Sequence, residues 1–210
     1  MKLISFSVYG TKPMYLEGLR QNLLLAPGVY PGWKVRVYHS GEVPKEFWNG
    51  LDCEHIGMGH SLGSSGMFWR FLPAFEKKWS HVIFRDADSR LNIREAAAVL
   101  EWLKSGKKIH CMHDHEHHRC LPIFGGMWGI RTGVLSNTVQ RKLLRFIKRE
   151  QQRGDDMLFL EKYVFPEVCH SIMRHSSVRV KWPEAIPFPA HPPYEHFVGR
   201  QFNEQNGVIL

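Results

Sequence analysis

The chain has 210 residues, 43% of them hydrophobic, with 28 Lys and Arg against 20 Asp and Glu, a formal net charge of +8. That length and apolar fraction suit one substantial core better than two small ones. No uninterrupted apolar stretch reaches the roughly 18 residues that a membrane helix needs, and "MKLISFSVYG" turns polar too soon for a secretory signal, so the expectation is a soluble, cytoplasmic protein. Cys53, Cys111, Cys120 and Cys169 lack C-x-x-C spacing, which argues for reduced thiols and against a zinc knuckle or a disulfide framework. The positive excess favours anionic partners: nucleic acid, an acidic membrane or phosphorylated small molecules.

In chain order, "KLISFSVYG" (2–10) predicts a strand, rich in β-branched and aromatic residues, and "MYLEGLRQNLLLA" (14–26) has the apolar spacing of a helix. "WKVRVYHS" (33–40) alternates as a second strand. "PKEFWNGL" predicts a short helix, "CEHIGM" a short strand and "MFWRFLPAFEKK" (67–78) a helix interrupted by Pro73. "HVIFRDADSRL" (81–91) begins as an apolar strand. The helix "IREAAAVLEWLKS" (93–105) follows, closed by Gly106. "KKIHCMHD" (107–114) and "GGMWGIRTG" (125–133) predict further strands, and 136–152 and 155–166 further helices, the first capped by Ser136 or Asn137. The proline- and histidine-rich tail from about 182 predicts an irregular segment over the sheet. Strands alternating with helices define an α/β class with a largely parallel sheet, and no internal repeat suggests a solenoid.

The apolar strand at 81 stops at two carboxylates, Asp86 and Asp88, flanked by Arg85 and Arg90. In open parallel sheets ligands bind where strands end, and residues i and i+2 of an extended segment project to one side. The pair can therefore face one hard cation, Mg²⁺ or Mn²⁺, that keeps positions open for phosphate oxygens. A solvated turn held by surface ion pairs is the bland alternative, and D-x-D alone does not exclude it.

Taken together in this order, "SFSVYG", "YPGWKVRVY", "MFWRFLP", "RDADSR", "REAAAVLEWLKSGKKIHCMHDH" and "GGMWGIR" resemble the small GT-A-type glycosyltransferases, among them the N-terminal domain of a large chlorovirus protein. The resemblance runs over most of the chain. It implies a single GT-A-like domain over 1–210, with a nucleotide-binding half at about 1–105 and an acceptor-side half at about 106–210. It further implies a UDP-sugar donor, a glycan acceptor and hexosyl or deoxyhexosyl transfer that depends on Mn²⁺ or Mg²⁺. By position, Asp86 and Asp88 match the metal- and donor-binding pair. Ser7, Val8, Tyr9 and Gly10 match the uridine-binding end of the first strand, with Tyr9 packing on the base. Arg70 and Arg85 are the basic groups for phosphates or donor sugar. His175 is the first choice for a third metal ligand, with His191 and His196 as alternatives. Ser176 stands where relatives carry a carboxylate.

The histidine-rich stretch 110–120 is open to three readings: a zinc site, a solvated loop, and a donor-sugar or acceptor role for Asp114 and His115. The glycine-rich 57–67 lacks a P-loop's Lys-Ser/Thr and reads as a mobile loop, with closure over the donor as its functional version. Asp155 and Asp156 suit a helix N-terminus, and Asp156 is the candidate general base. Trp69, Trp128, Trp182 and Tyr194 are either sugar-stacking platforms or core. Two other functions compete with glycosyl transfer: nucleotide-sugar binding or nucleotidyl transfer with the same metal site, and a basic nucleic-acid-binding module. The dispersed cations and the lack of a binding motif count against the last.

Overall fold

A computed structural model describes residues 1–191 and 196–209 of the chain. Seven strands form one sheet: β1 (Lys2–Val8), β2 (Lys34–His39), β3 (Glu54–Gly57), β4 (His81–Phe84), β5 (Ile109–His113), β6 (Trp128–Arg131) and β7 (Ile172–Ser176). Their order across the sheet is β3-β2-β1-β4-β6-β5-β7. The pairs β1–β2, β1–β4, β2–β3 and β5–β7 are parallel, and β6 runs antiparallel to both its neighbours. The helices are α1 (Pro13–Val29), α2 (Ile93–Ser105), α3 (Asn137–Ile147), α4 (Asp155–Phe159) and α5 (Phe165–Val168). No described helix is long and apolar enough to cross a membrane.

Alternation within the strands divides the core between the two sheet faces. Ile4, Phe6, Val8 and Ile83 pack with residues of α1 and α2, whereas Leu3, Val82 and Phe84 pack with α3 and the segment 159–168. The local signals match. α1 starts with Pro13 in its first turn. The Asn92 side chain accepts the backbone N–H of Glu95 at 3.0 Å to cap α2, and Gly106 ends it in the left-handed region at φ 69°.

Three expectations need correction. Ser65–Phe75 is a 3₁₀ helix that continues through Pro73. The helix expected over 155–166 is two short α segments joined by a π-helical turn, Leu160–Val164. His175, expected at a metal, lies instead in β7, a strand that no reading of the sequence assigned to 172–176, and there it and Arg174 are both fully buried. From β1 the chain runs outward to β2 and β3, then returns to β1's other side as β4. That reversal opens a crevice at the carboxyl ends of β1 and β4.

Candidate active site

A cavity of about 680 Å³ fills this crevice. Ser7, Val8, Tyr9 and Gly10 form one wall, and the acidic loop after β4 forms the next. Buried Asn22 of α1 holds that loop: its amide donates to Ser89 O at 2.8 Å and accepts from Leu91 N at 2.9 Å. Gly18, one turn earlier, lies so close to Ala87 O that a Cβ there would overlap it. Tyr9 is fixed the same way, against Gly66, with its ring edge-on to Trp69 at 6.3 Å.

The two carboxylates differ. Asp86 is half-exposed, with 43% of its side-chain surface accessible. Asp88 is buried, accepts from the Gln201 amide at 2.8 Å and gives its backbone oxygen to Phe202 N at 2.9 Å. Burial, reinforced by the neighbouring Asp86 charge, pushes the Asp88 carboxyl up to about 6. Arg70 joins two parts of the site. Its Nη1 pairs with Asp86 and its Nη2 with Asp156 Oδ2 at 2.8 Å. Asp156 is itself buried, which raises its pKa against the opposing pull of Arg70.

This convergence explains the double glycine. A Cβ on Gly126 would overlap the Asp86 carboxylate, and one on Gly125 would collide with Asp156 Oδ2 and crowd Arg70 Nη2. A side chain at either position would separate the groups that the cavity brings together.

Other candidates lie elsewhere. Arg85 is 1% exposed; its guanidinium meets Glu95 Oε1 at 3.1 Å and donates to Phe84 O and Trp128 O, so it ties β4 to α2 and does not reach the cavity. Asp114 is held by Arg94 through both carboxylate oxygens, at 2.8 and 2.9 Å, and accepts from Val198 N. It is absent from the cavity wall, whereas its neighbour His115 is part of it. His175 Nδ1 lies 2.8 Å from His110 Nε2, and its Nε2 lies 2.9 Å from Glu101 Oε2. With both ring nitrogens engaged inside the fold, His175 is not brought to Asp86 and Asp88. His191 and His196 are not among the cavity's described lining either. Trp69 and Trp128 are core residues, and Trp182 covers Arg174 and His113. Tyr194 lies outside the described residues.

The stretch 110–120 divides in two. His110 and His113 are fully buried, while His115, His117 and His118 line the cavity with Phe197 stacked on His115 at 4.3 Å. Among the described residues no group of three or more His, Cys, Asp or Glu side chains is placed to hold a metal. Two carboxylates beside the Gln201 amide are nonetheless hard oxygen donors of the type that suits Mg²⁺ or Mn²⁺, which complete their shells with water or phosphate oxygens. Sequence reasoning missed Asn22, Gln201 and Phe197. Each acts across more than 60 residues of chain, and no local pattern marks such a contact.

No family model matches the sequence, and no curated protein matches it. The fold, however, is similar to solved structures. A glycosyltransferase involved in the glycosylation of the major capsid of PBCV-1 superposes with a TM-score of 0.52 at 13% identity, over 83% of this chain and 81% of that one. The 4-diphosphocytidyl-2C-methyl-D-erythritol synthase from Anaerococcus prevotii superposes with a TM-score of 0.51 at 9% identity, over 87% and 93%. At such identities the likeness establishes the fold, which is GT-A-like: a mixed, mostly parallel α/β sheet with its crevice between β1 and β4.

Proposed function

We propose that the chain is a divalent-metal-dependent glycosyltransferase that takes a sugar from a UDP-sugar donor to a hydroxyl of a glycan acceptor. The observation that carries this reading is the meeting of Asp86, Asp88, Arg70 and Asp156 with the end of β1 in one cavity at the strand ends. Ser7 to Gly10 would bind the uridine, with the Tyr9 ring against the base. Asp86 and Asp88, with the Gln201 amide alongside, would hold Mn²⁺ or Mg²⁺. When bound, that ion supplies charge neutralisation to the departing diphosphate. Arg70 adds a fixed positive charge that a diphosphate can share, in a site where burial strengthens it.

Asp156 would accept the proton of the incoming hydroxyl, and its raised pKa makes it a better base than an exposed aspartate. His115, His117 and Phe197 bring rings to the wall, Phe197 stacked on His115 and His117 edge-on to it, against which a sugar can pack. Asp114 takes no part in this scheme beyond anchoring Val198 beside that wall.

Calorimetric titration of UDP with and without Mn²⁺, repeated on Asp86→Ala/Asp88→Ala, tests the reading. Binding that needs both metal and aspartates supports it; a folded protein that binds UDP under neither condition overturns it. Because the fold is shared with a synthase of a diphosphocytidyl compound, nucleotidyl transfer is the second reading. Product analysis separates them, since glycosyl transfer releases UDP and nucleotidyl transfer releases pyrophosphate.

A further inference from the structure

Most of the net positive charge sits in one stretch. Between Arg131 and Arg153 there are seven cations (Arg131, Arg141, Lys142, Arg145, Lys148, Arg149, Arg153) against one acid, Glu150, a net +6 of the chain's +8. α3 and its C-cap carry four of the seven. Val139 and Leu143 turn its apolar side into the core. Arg141, Leu144, Arg145 and Lys148, at i, i+3, i+4 and i+7, share the opposite face and are all exposed. Among the described residues none of Arg141, Arg145, Lys148 and Arg149 has a carboxylate partner. Leu144 is 42% exposed in the midst of these cations, and Leu158 of α4 is 59% exposed. The run ends at the site, because Arg153 lines the cavity, as does Met157 next to Leu158.

We propose that this face binds the surface of an anionic lipid bilayer and so holds the cavity rim at the headgroups. Unpaired cations supply long-range attraction to a negative surface, about fivefold in affinity for each one brought near it. They account for the charge but not for the leucines. An exposed leucine centred among cations gains nothing from water or from a phosphate backbone, whereas a bilayer offers an apolar layer just beneath its charged one. A nucleic acid has the charge without that layer, and the face carries no exposed aromatic ring to stack on bases.

The test is sedimentation of the full chain with vesicles of phosphatidylcholine, with and without phosphatidylserine, in the absence of donor and metal. Its outcome therefore does not depend on the glycosyl-transfer reading. Retention is expected only on phosphatidylserine vesicles, falling as salt rises. Arg141→Gln/Arg145→Gln/Lys148→Gln should weaken it roughly 100-fold. Leu144→Ser should weaken it roughly tenfold while leaving binding to a duplex oligonucleotide unchanged. All four positions are exposed, and unaltered circular dichroism and thermal unfolding confirm that the variants are folded. Equal retention on neutral vesicles, no retention on anionic vesicles at low salt, or an unaffected triple variant overturns the proposal. So does a face that binds the oligonucleotide and not the vesicles.

Discussion

Replacing Arg70 with methionine keeps an apolar stem of similar length and deletes the charge between Asp86 and Asp156. Its Nη2 stands 2.8 Å from Asp156 Oδ2, with side-chain exposures of 6% and 8%. At that distance and an effective dielectric constant of about 20, the attraction is about 6 kcal/mol before desolvation is set against it. Asp86 adds little, because its side chain is 43% exposed and solvent screens it. Deleting one partner of a buried pair exposes the desolvation cost of the other, and the net loss expected is about 3–5 kcal/mol. The sign with pH follows from Asp156. Burial already raises its pKa, and without Arg70 only the Met157 backbone N–H, 3.0 Å from Asp156 Oδ1, still opposes the rise. A carboxyl whose folded pKa lies above its unfolded value contributes its stability below the unfolded pKa and loses it as pH climbs through the folded one. The deficit should therefore be larger at about pH 7.5 than at about pH 5, as read by urea unfolding. Arg70→Met/Asp156→Leu removes both charges and should recover most of the loss. A deficit under about 1 kcal/mol at the higher pH, the same deficit at both, or no recovery in the double variant would refute the reasoning.

Acid sensitivity should trace in part to His113. Its Nδ1 lies 2.6 Å from His118 O and its Nε2 accepts from Arg174 Nη1 at 2.7 Å, so the ring is held neutral and a second proton would face the guanidinium. Burial above all brings its pKa down to about 4; the unfolded chain then binds the proton first, and about 3 kcal/mol should be lost as pH falls from about 6.5 to about 4. Urea unfolding across that range should show a shallower dependence in His113→Gln, and an unchanged slope counts against the assignment. Gly126→Ala should displace the Asp86 carboxylate and lower Mn²⁺-dependent UDP affinity by roughly tenfold or more, with a stability cost of about 1–3 kcal/mol; full affinity in calorimetry would show that the glycine is not needed for the site. Asn92→Ala removes the α2 cap and should cost about 1 kcal/mol in the same unfolding assay, with UDP binding unchanged.

How much of this was legible follows from what each residue obeys. α2 is readable to the residue because its cap, its amphipathic spacing and its closing glycine all lie within 15 positions. β1 and β4 are readable as runs rich in β-branched and aromatic residues, and β2 by its alternation of apolar and basic ones. β7 is not. "IMRHS" carries an arginine and a histidine, and in the sheet Pro122 O, Glu184 and His113 engage Arg174 through Nε and Nη1 while Glu101 and His110 engage both ring nitrogens of His175. Those partners come from other parts of the chain, so the local composition reads as loop. The resemblance alone nominated His175 as a metal ligand, and the same distant partners hold it in the interior. The double glycine was legible as a punctuation mark; that it clears space for two carboxylates needed the tertiary fold.

The ionisable residues nominated from sequence share one chemistry and are sorted by which opposite charge reaches each. Arg70 and Arg85 both precede or flank the acidic loop, and both are buried. Glu95 on α2 engages Arg85, with the Tyr30 hydroxyl on the same carboxylate oxygen, so that guanidinium serves the β4–α2 contact. Arg94, the preceding residue on that helix, engages Asp114 on the far side of the sheet order. What remains is Arg70, with no glutamate in reach and two aspartates from separate segments, 86 and 156. The helix after the D-x-D loop therefore decides the site by subtraction. It removes one arginine and one aspartate into the fold and leaves, of the nominated residues, Arg70 with Asp86, Asp88 and Asp156, on a wall that Lys12 and Arg153 also line.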